Sequence, residues 1–167
     1  NSVILNYDKE SNDFFYWYQQ LVAESLGKKG KGILPIISEM PRDNHSLMQL
    51  YLDGPKNNFY TFFFTKNSSS INLKKKDLLK SHKYLKNKNL SDIKYSQFLA
   101  TLKVFKEKKI PHRSFIIENR SEETLGELFS FFILETILLC RAMGVNPFNQ
   151  PAVELIKTNT KKFLINT

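Results

Sequence analysis

A single cysteine, Cys140, stands in the 167-residue chain, so no disulfide can form within it. Cys140 sits among Ile137, Leu138 and Leu139, where a thiol serves as a small core residue. Cysteine this scarce fits an intracellular, cytoplasmic chain. No Cys/His spacing suited to a metal occurs and no G-x-S-x-G elbow is present, so neither a metal centre nor an acyl-enzyme is indicated, and no cofactor is expected. Long apolar runs are also lacking. The greasiest stretch, residues 128–140, is 13 residues long and contains Glu135, too short and too charged to span a bilayer, so no membrane partner is expected. Acids are the scarcer charge: 16 Asp and Glu against 25 Lys and Arg give a net charge of +9. The lysines concentrate in residues 74–109 and alternate with Asn and Leu rather than with aromatic rings. They read as a solvated face, not a base-stacking platform, and nucleic acid is not expected as a partner. Positive potential would still draw an anionic small molecule toward a cleft. Missing too is an initiator methionine, and residues 2–7 (SVILNY) already have the pattern of a buried strand, so the chain reads as a domain cut from a longer one.

What is present is an ordinary globular composition, 41% hydrophobic and 25% charged, of a length suited to one domain with a real core. Strand and helix patterns alternate. Residues 3–7, 33–38, 58–65 and 113–118 read as strands, and the near-continuous apolarity of NFYTFFFT (58–65) suggests a strand covered on both faces, as in a parallel sheet. Helices are expected over 13–26, capped by Asn12; in a short segment capped by Asp43 or Asn44; over 73–85, a polar one; from Ser91 to about residue 105; from Ser121 to about 143, where Gly144 stops it; and after Pro151. Apolarity all round the 121–143 helix implies burial or a subunit contact. For the last helix, Val153, Ile156 and Leu164 are the expected inner stripe. The alternation implies an α/β fold: a three-layer αβα sandwich on a mostly parallel sheet, with ligand chemistry at the carboxyl ends of its strands.

The polar residues of most specific use fall in residues 16–55. Phe14, Trp17, Tyr18, Leu21 and Val22 recur at helical spacing, and Gln20 and Glu24 stack four apart, with Glu24 about 20° from Trp17 at the rim of the apolar stripe. A carboxylate there loses part of its hydration and is a candidate proton shuttle; the plain alternative is a solvated glutamate near a helix end. Gly27, Gly30 and Gly32 in GKKGKG follow a helix and precede a strand, the reverse of a phosphate-cradling order, so they read as a helix stop and a tight turn. His45 is expected in the first turn of the next helix, where the macrodipole opposes a protonated imidazole. His82 and His112 have no evident partner and read as surface and loop residues. Gln150 and Lys157, seven apart, share one helical face, although a Glu154–Lys157 surface pair accounts for the same lysine.

The string Q-Q-x-x-A-E-S-x-G-K-x-G-K-G, then D-N-H-S-L-x-Q-x-x-x-D-G-P, and near the end Phe148, Asn149, Gln150, Pro151, Ala152, Val153, Glu154 and Lys157, together resemble the second half of the glucose-6-phosphate isomerase family. Ala152 departs from that pattern, which has glycine there. The resemblance implies a sugar isomerase (SIS) domain of flavodoxin-like topology over 1–145, with 146–167 as a helix carrying part of the site. It implies isomerisation of glucose 6-phosphate and fructose 6-phosphate without metal or nucleotide. Glu24 would move the proton, His45 and Lys157 would open the ring, and Gln20 and Gln150 would hold substrate oxygens. It further implies a homodimer in which His45 is donated across the interface. The family's phosphate-gripping loop and an arginine belong to its first half, so the chain alone is expected to be inactive. A phosphosugar-binding SIS module without catalysis is the alternative reading.

Overall fold

The computed structural model describes residues 1–66 and 80–166. Four strands, β1 (Ser2–Asn6), β2 (Pro35–Glu39), β3 (Phe59–Thr65) and β4 (His112–Ile117), form one all-parallel sheet in the order β2-β1-β3-β4. The helices are α1 (Asn12–Leu26), α2 (Met48–Asp53), α3 (Leu90–Glu107), α4 (Glu122–Met143) and α5 (Pro151–Asn166).

Alternation along the strands sends side chains to opposite faces, and the two faces carry separate cores. Val3 and Leu5 with Tyr60, Phe62 and Phe64 pack beneath Met48 and Tyr51 of α2 and Phe98 and Phe105 of α3. Ile4 and Phe63 face the other way, against Phe14, Phe15, Tyr18 and Val22 of α1 and Leu128, Phe132 and Cys140 of α4. The result is the three-layer α/β architecture expected from the alternation, and β1 is buried along its whole length. Each fully buried phenylalanine contributes roughly 2 to 3 kcal/mol relative to exposure, so the ring-rich β3 is a principal source of stability.

Local chemistry accounts for the element ends, with some departures from expectation. Ser121 accepts from Thr124 N at 3.2 Å, and Gly144 ends α4 in the left-handed region at φ 66°. Ser91 does not cap α3; Asn89 does, in a capping box with Asp92. Asn12 is the first residue of α1 rather than its cap, because its side chain is drawn into a polar web at the strand ends. His112 opens β4 instead of lying in a loop, and its Nδ1 stands 2.7 Å from Ile110 O. Residues 80–85 form a distorted 3-10 segment, and the rest of the polar helix expected there lies outside the described residues. The long helix α4 buries only one face. Phe131, Ile133, Leu134 and Leu138 are exposed on the other, and the expected inner stripe of α5 is exposed too, with Ile156 at 67% and Leu164 at 73%.

Candidate active site

Helix α1 leaves the carboxyl end of β1 and runs back across the sheet. At its start Asn12 Nδ2 donates to Glu39 Oε1 (3.0 Å), at the carboxyl end of β2; later Gln19 Nε2 donates to Pro35 O (2.9 Å), at the amino end of the same strand. Gln20 and Glu24, one turn apart, therefore stand toward the amino ends of the strands. Sheet polarity alone had pointed to the opposite end. Gln20 Nε2 donates to Glu24 Oε1 at 3.0 Å, and Gln150 Nε2, from the residue before α5, donates to Glu24 Oε2 at 2.5 Å. Each carboxylate oxygen thus accepts one amide hydrogen, from partners 4 and 126 residues away. Glu24 is half-buried, as its place at the rim of the apolar stripe required. With Gln150, Ala23, Gly27, Lys28, Ala152 and Val153 it lines a cavity of about 230 Å³. A second cavity of about 250 Å³ adjoins it, lined by Lys28, Asn146, Asn149 and Pro151 among others.

His45 is not brought to this cluster. It follows a single 3-10 turn (Arg42–Asn44) and precedes α2, so it is not in the first turn of a helix and its macrodipole rationale does not apply. Its neighbour Asp43 is buried, accepting from Glu39 N at 2.8 Å and Arg42 Nε at 3.1 Å, which fixes the backbone beneath an exposed imidazole. The segment begins at the carboxyl end of β2, whereas Glu24 lies twelve residues into a helix that starts there, about 18 Å along its axis. Lys157 makes a different contact. Its ammonium pairs with Glu154 at 2.7 Å and both side chains are about two-thirds exposed, the plain surface pair.

Sequence reasoning passed over two groups. The lysines of GKKGKG were absorbed into the turn that the glycines signalled; the turn is there, closed by a Lys28–Lys31 bridge with Lys29 and Gly30 at φ 54° and 69°, but Lys28 and Lys31 also reach distant carbonyls. Asp8, 3% exposed where β1 and β3 end, accepts from Thr65 Oγ1 (2.7 Å), Ser11 Oγ (2.8 Å) and Arg120 Nη1 (2.7 Å). Burial would raise its pKa, but those hydrogen bonds and the guanidinium charge outweigh that and hold it below the usual carboxylate range. Nothing in one sequence marks an aspartate to be met 112 residues later by an arginine. Among the described residues no group of acidic, histidine or cysteine side chains is arranged to hold a metal ion, and no helix is long and apolar enough to cross a membrane.

No protein-family model matches the chain. It is 38% identical over 160 residues to the glucose-6-phosphate isomerase of Mycoplasmopsis synoviae, covering 94% of this chain and 37% of that protein. To the glucose-6-phosphate isomerase of Mycoplasmopsis pulmonis it is 39% identical over 166 residues, 97% of this chain and 39% of that one. Among solved structures, a hypothetical protein from Thermus thermophilus superposes with a TM-score of 0.88 at 25% identity, over 98% of this chain and 41% of that one. A glucose-6-phosphate isomerase from Chlamydia trachomatis shares the fold, with a TM-score of 0.74 at 17% identity, over 98% of this chain and 34% of that one. The chain spans a little over a third of the curated relatives it matches. Over nearly all of its own length, therefore, this chain is similar to about a third of a glucose-6-phosphate isomerase.

Proposed function

We propose that the chain is the SIS-domain portion of a glucose-6-phosphate isomerase, with residues 1–145 as the domain and 146–167 as a helix completing its site. The reaction interconverts glucose 6-phosphate and fructose 6-phosphate by moving a proton between C1 and C2 of the opened sugar through an enediolate. One carboxylate must take that proton and return it. The observation that carries the assignment to Glu24 is its meeting, at a small cavity, with two amide side chains from elements far apart in sequence, Gln20 and Gln150. Amides so placed suit binding of sugar oxygens beside the base, and a positioned base of this kind contributes about 10² to 10⁴-fold in rate. His45 and Lys157 would serve ring opening.

Placement of His45 toward the other end of α1, exposed on a braced backbone, supports its donation to the site of a second copy in a homodimer rather than to Glu24 of its own chain. Since the chain spans little more than a third of its relatives, the remainder of the enzyme would supply the phosphate grip. Polypeptide 1–167 alone is expected to be inactive, and measurable turnover by it overturns that part of the proposal. In the full-length protein, Glu24→Gln should abolish isomerisation while leaving sugar-phosphate affinity within about threefold, because the amide keeps one acceptor oxygen. An unchanged rate rejects the role of Glu24. The second reading, a phosphosugar-binding module without catalysis, is favoured for the isolated chain by the pairing of Lys157 with Glu154 and by the place of His45 at the other end of α1. It predicts binding to 1–167 that Glu24→Gln leaves in place.

A further inference from the structure

The loop between α1 and β2 does more than reverse the chain. In the tight turn of residues 28–31, Lys28 and Lys31 are paired across a bridge, and paired residues of such a turn project from one face. Both ammonium groups go to carbonyl oxygens. Lys28 Nζ donates to Ser25 O at 2.8 Å and to Asn146 O at 2.6 Å, and Lys31 Nζ donates to Met143 O at 2.7 Å. Ser25 lies in the last turn of α1 and Met143 is the last residue of α4, so these are oxygens that helix ends leave without intrahelical partners. A cation there also meets the negative end of each helix dipole. Asn146 lies just beyond, and its own Oδ1 accepts from Phe148 N at 2.9 Å. Two residues later comes Gln150.

Every described side chain of α5 from 151 to 165 is exposed, and the Gln150–Glu24 hydrogen bond is a direct polar tie from its start to α1. Lys28 lines both cavities that flank this pair. We propose that Lys28 and Lys31 are positioning residues: together they bind the end of α4 and the segment after it to the end of α1, and so fix where Gln150 meets Glu24. This rests on the reading of Glu24 and Gln150 as the substrate-handling pair, but its physical content, a coupling between two lysines and the Gln150–Glu24 contact, is measurable without turnover.

The test is nuclear magnetic resonance on chain 1–167, following the Gln150 side-chain amide while Glu24 is titrated. In the unsubstituted chain the amide signals should move with the carboxylate. Lys28→Met, which keeps the apolar stem and removes the donor, should weaken the contact about tenfold in its equilibrium constant, the effect of losing one hydrogen bond from a charged group, and so cut that movement by about half or more. Lys31→Met should cut it less, Lys28→Arg should restore most of it, and Lys29→Met, which removes the same charge from the same loop, should change nothing. Full movement in the Lys28→Met/Lys31→Met double variant, or equal loss in Lys29→Met, overturns the proposal. If Lys28→Met does not fold, Lys31→Met against Lys29→Met decides it by the same criterion. In the full-length protein Lys28→Met should raise KM for the sugar phosphate severalfold with a smaller change in kcat. A full-length protein with no isomerase activity would defeat the functional reading while leaving the amide coupling intact.

Discussion

At the carboxyl ends of the strands the polar side chains are mostly buried or half-buried and bonded to one another, whereas around Glu24, at the far end of α1, a half-buried carboxylate meets two exposed amides beside open cavities. The first region joins Asp8, Ser11, Thr65 and Arg120, and beside them Asn6, Asn12, Glu39 and Asp43, in one web running from β3 across β1 to the end of β2. Arg120 adds Glu10 to it. Such a web ties four chain segments at the carboxyl ends of the strands. The second region is built from three side chains, two on α1 and one in the segment before α5, beside open cavities. The difference is one of role: an ion pair that is desolvated and fully hydrogen-bonded contributes rigidity, while a half-solvated carboxylate between two amides remains available for proton transfer.

Breaking the first region should have the largest effect. Asp8→Ala takes away two contacts of the Arg120 guanidinium, which is only 23% exposed, leaves it Glu10 as its ion-pair partner, orphans the Thr65 and Ser11 hydroxyls, and should cost about 3 kcal/mol in urea unfolding at pH 7. The pH dependence sharpens this. Because Asp8 has a folded pKa below its unfolded value, its contribution is complete above the unfolded carboxylate range near ~4 and is lost as pH falls through the lower folded value. The gap between wild type and Asp8→Ala should therefore be widest at neutral pH and close toward pH 2; a gap that widens on acidification would contradict the assigned direction. Asn12→Ala removes the bridge between Asn6 and Glu39 and should cost about 1 to 2 kcal/mol by the same measurement.

At the other region, Glu24→Gln should change stability by no more than about 0.5 kcal/mol, since the side chain is half-exposed and an amide still accepts one hydrogen bond. Smallest of all, Lys157→Ala should shift stability by only about 0.3 kcal/mol, the worth of an exposed helical ion pair. Should Glu24→Gln prove as costly as Asp8→Ala, the two regions do not differ in the way described.

How much of this was legible in the sequence varied with the range of the interactions involved. Rings at most positions of β3 announced a strand buried on both faces, and the helical spacing of Phe14, Tyr18 and Val22 announced which face of α1 is inward. Both are local patterns written by burial. The glycines of the 27–32 loop fixed its turn because only certain residues take positive φ easily, and Gly30 at 69° is one of them. Caps were less legible: Asn89 displaced Ser91, and Asn12 was claimed by distant partners, because several polar residues near a helix start compete for one role.

Sequence by itself determined the α/β order of elements, the inward faces of α1 and β3, the turn of GKKGKG and the neighbourhood of Gln20 and Glu24, all set by spacing of a few residues. Tertiary structure alone decided that Gln150 reaches Glu24 from 126 positions away, that Arg120 closes on Asp8, that Lys28 and Lys31 bind the end of α4, and that His45 stands away from Glu24. Those outcomes depend on the path of the chain across the sheet. A hydrogen bond is decided over about 3 Å of space, and no periodicity along one sequence encodes a distance between residues a hundred positions apart.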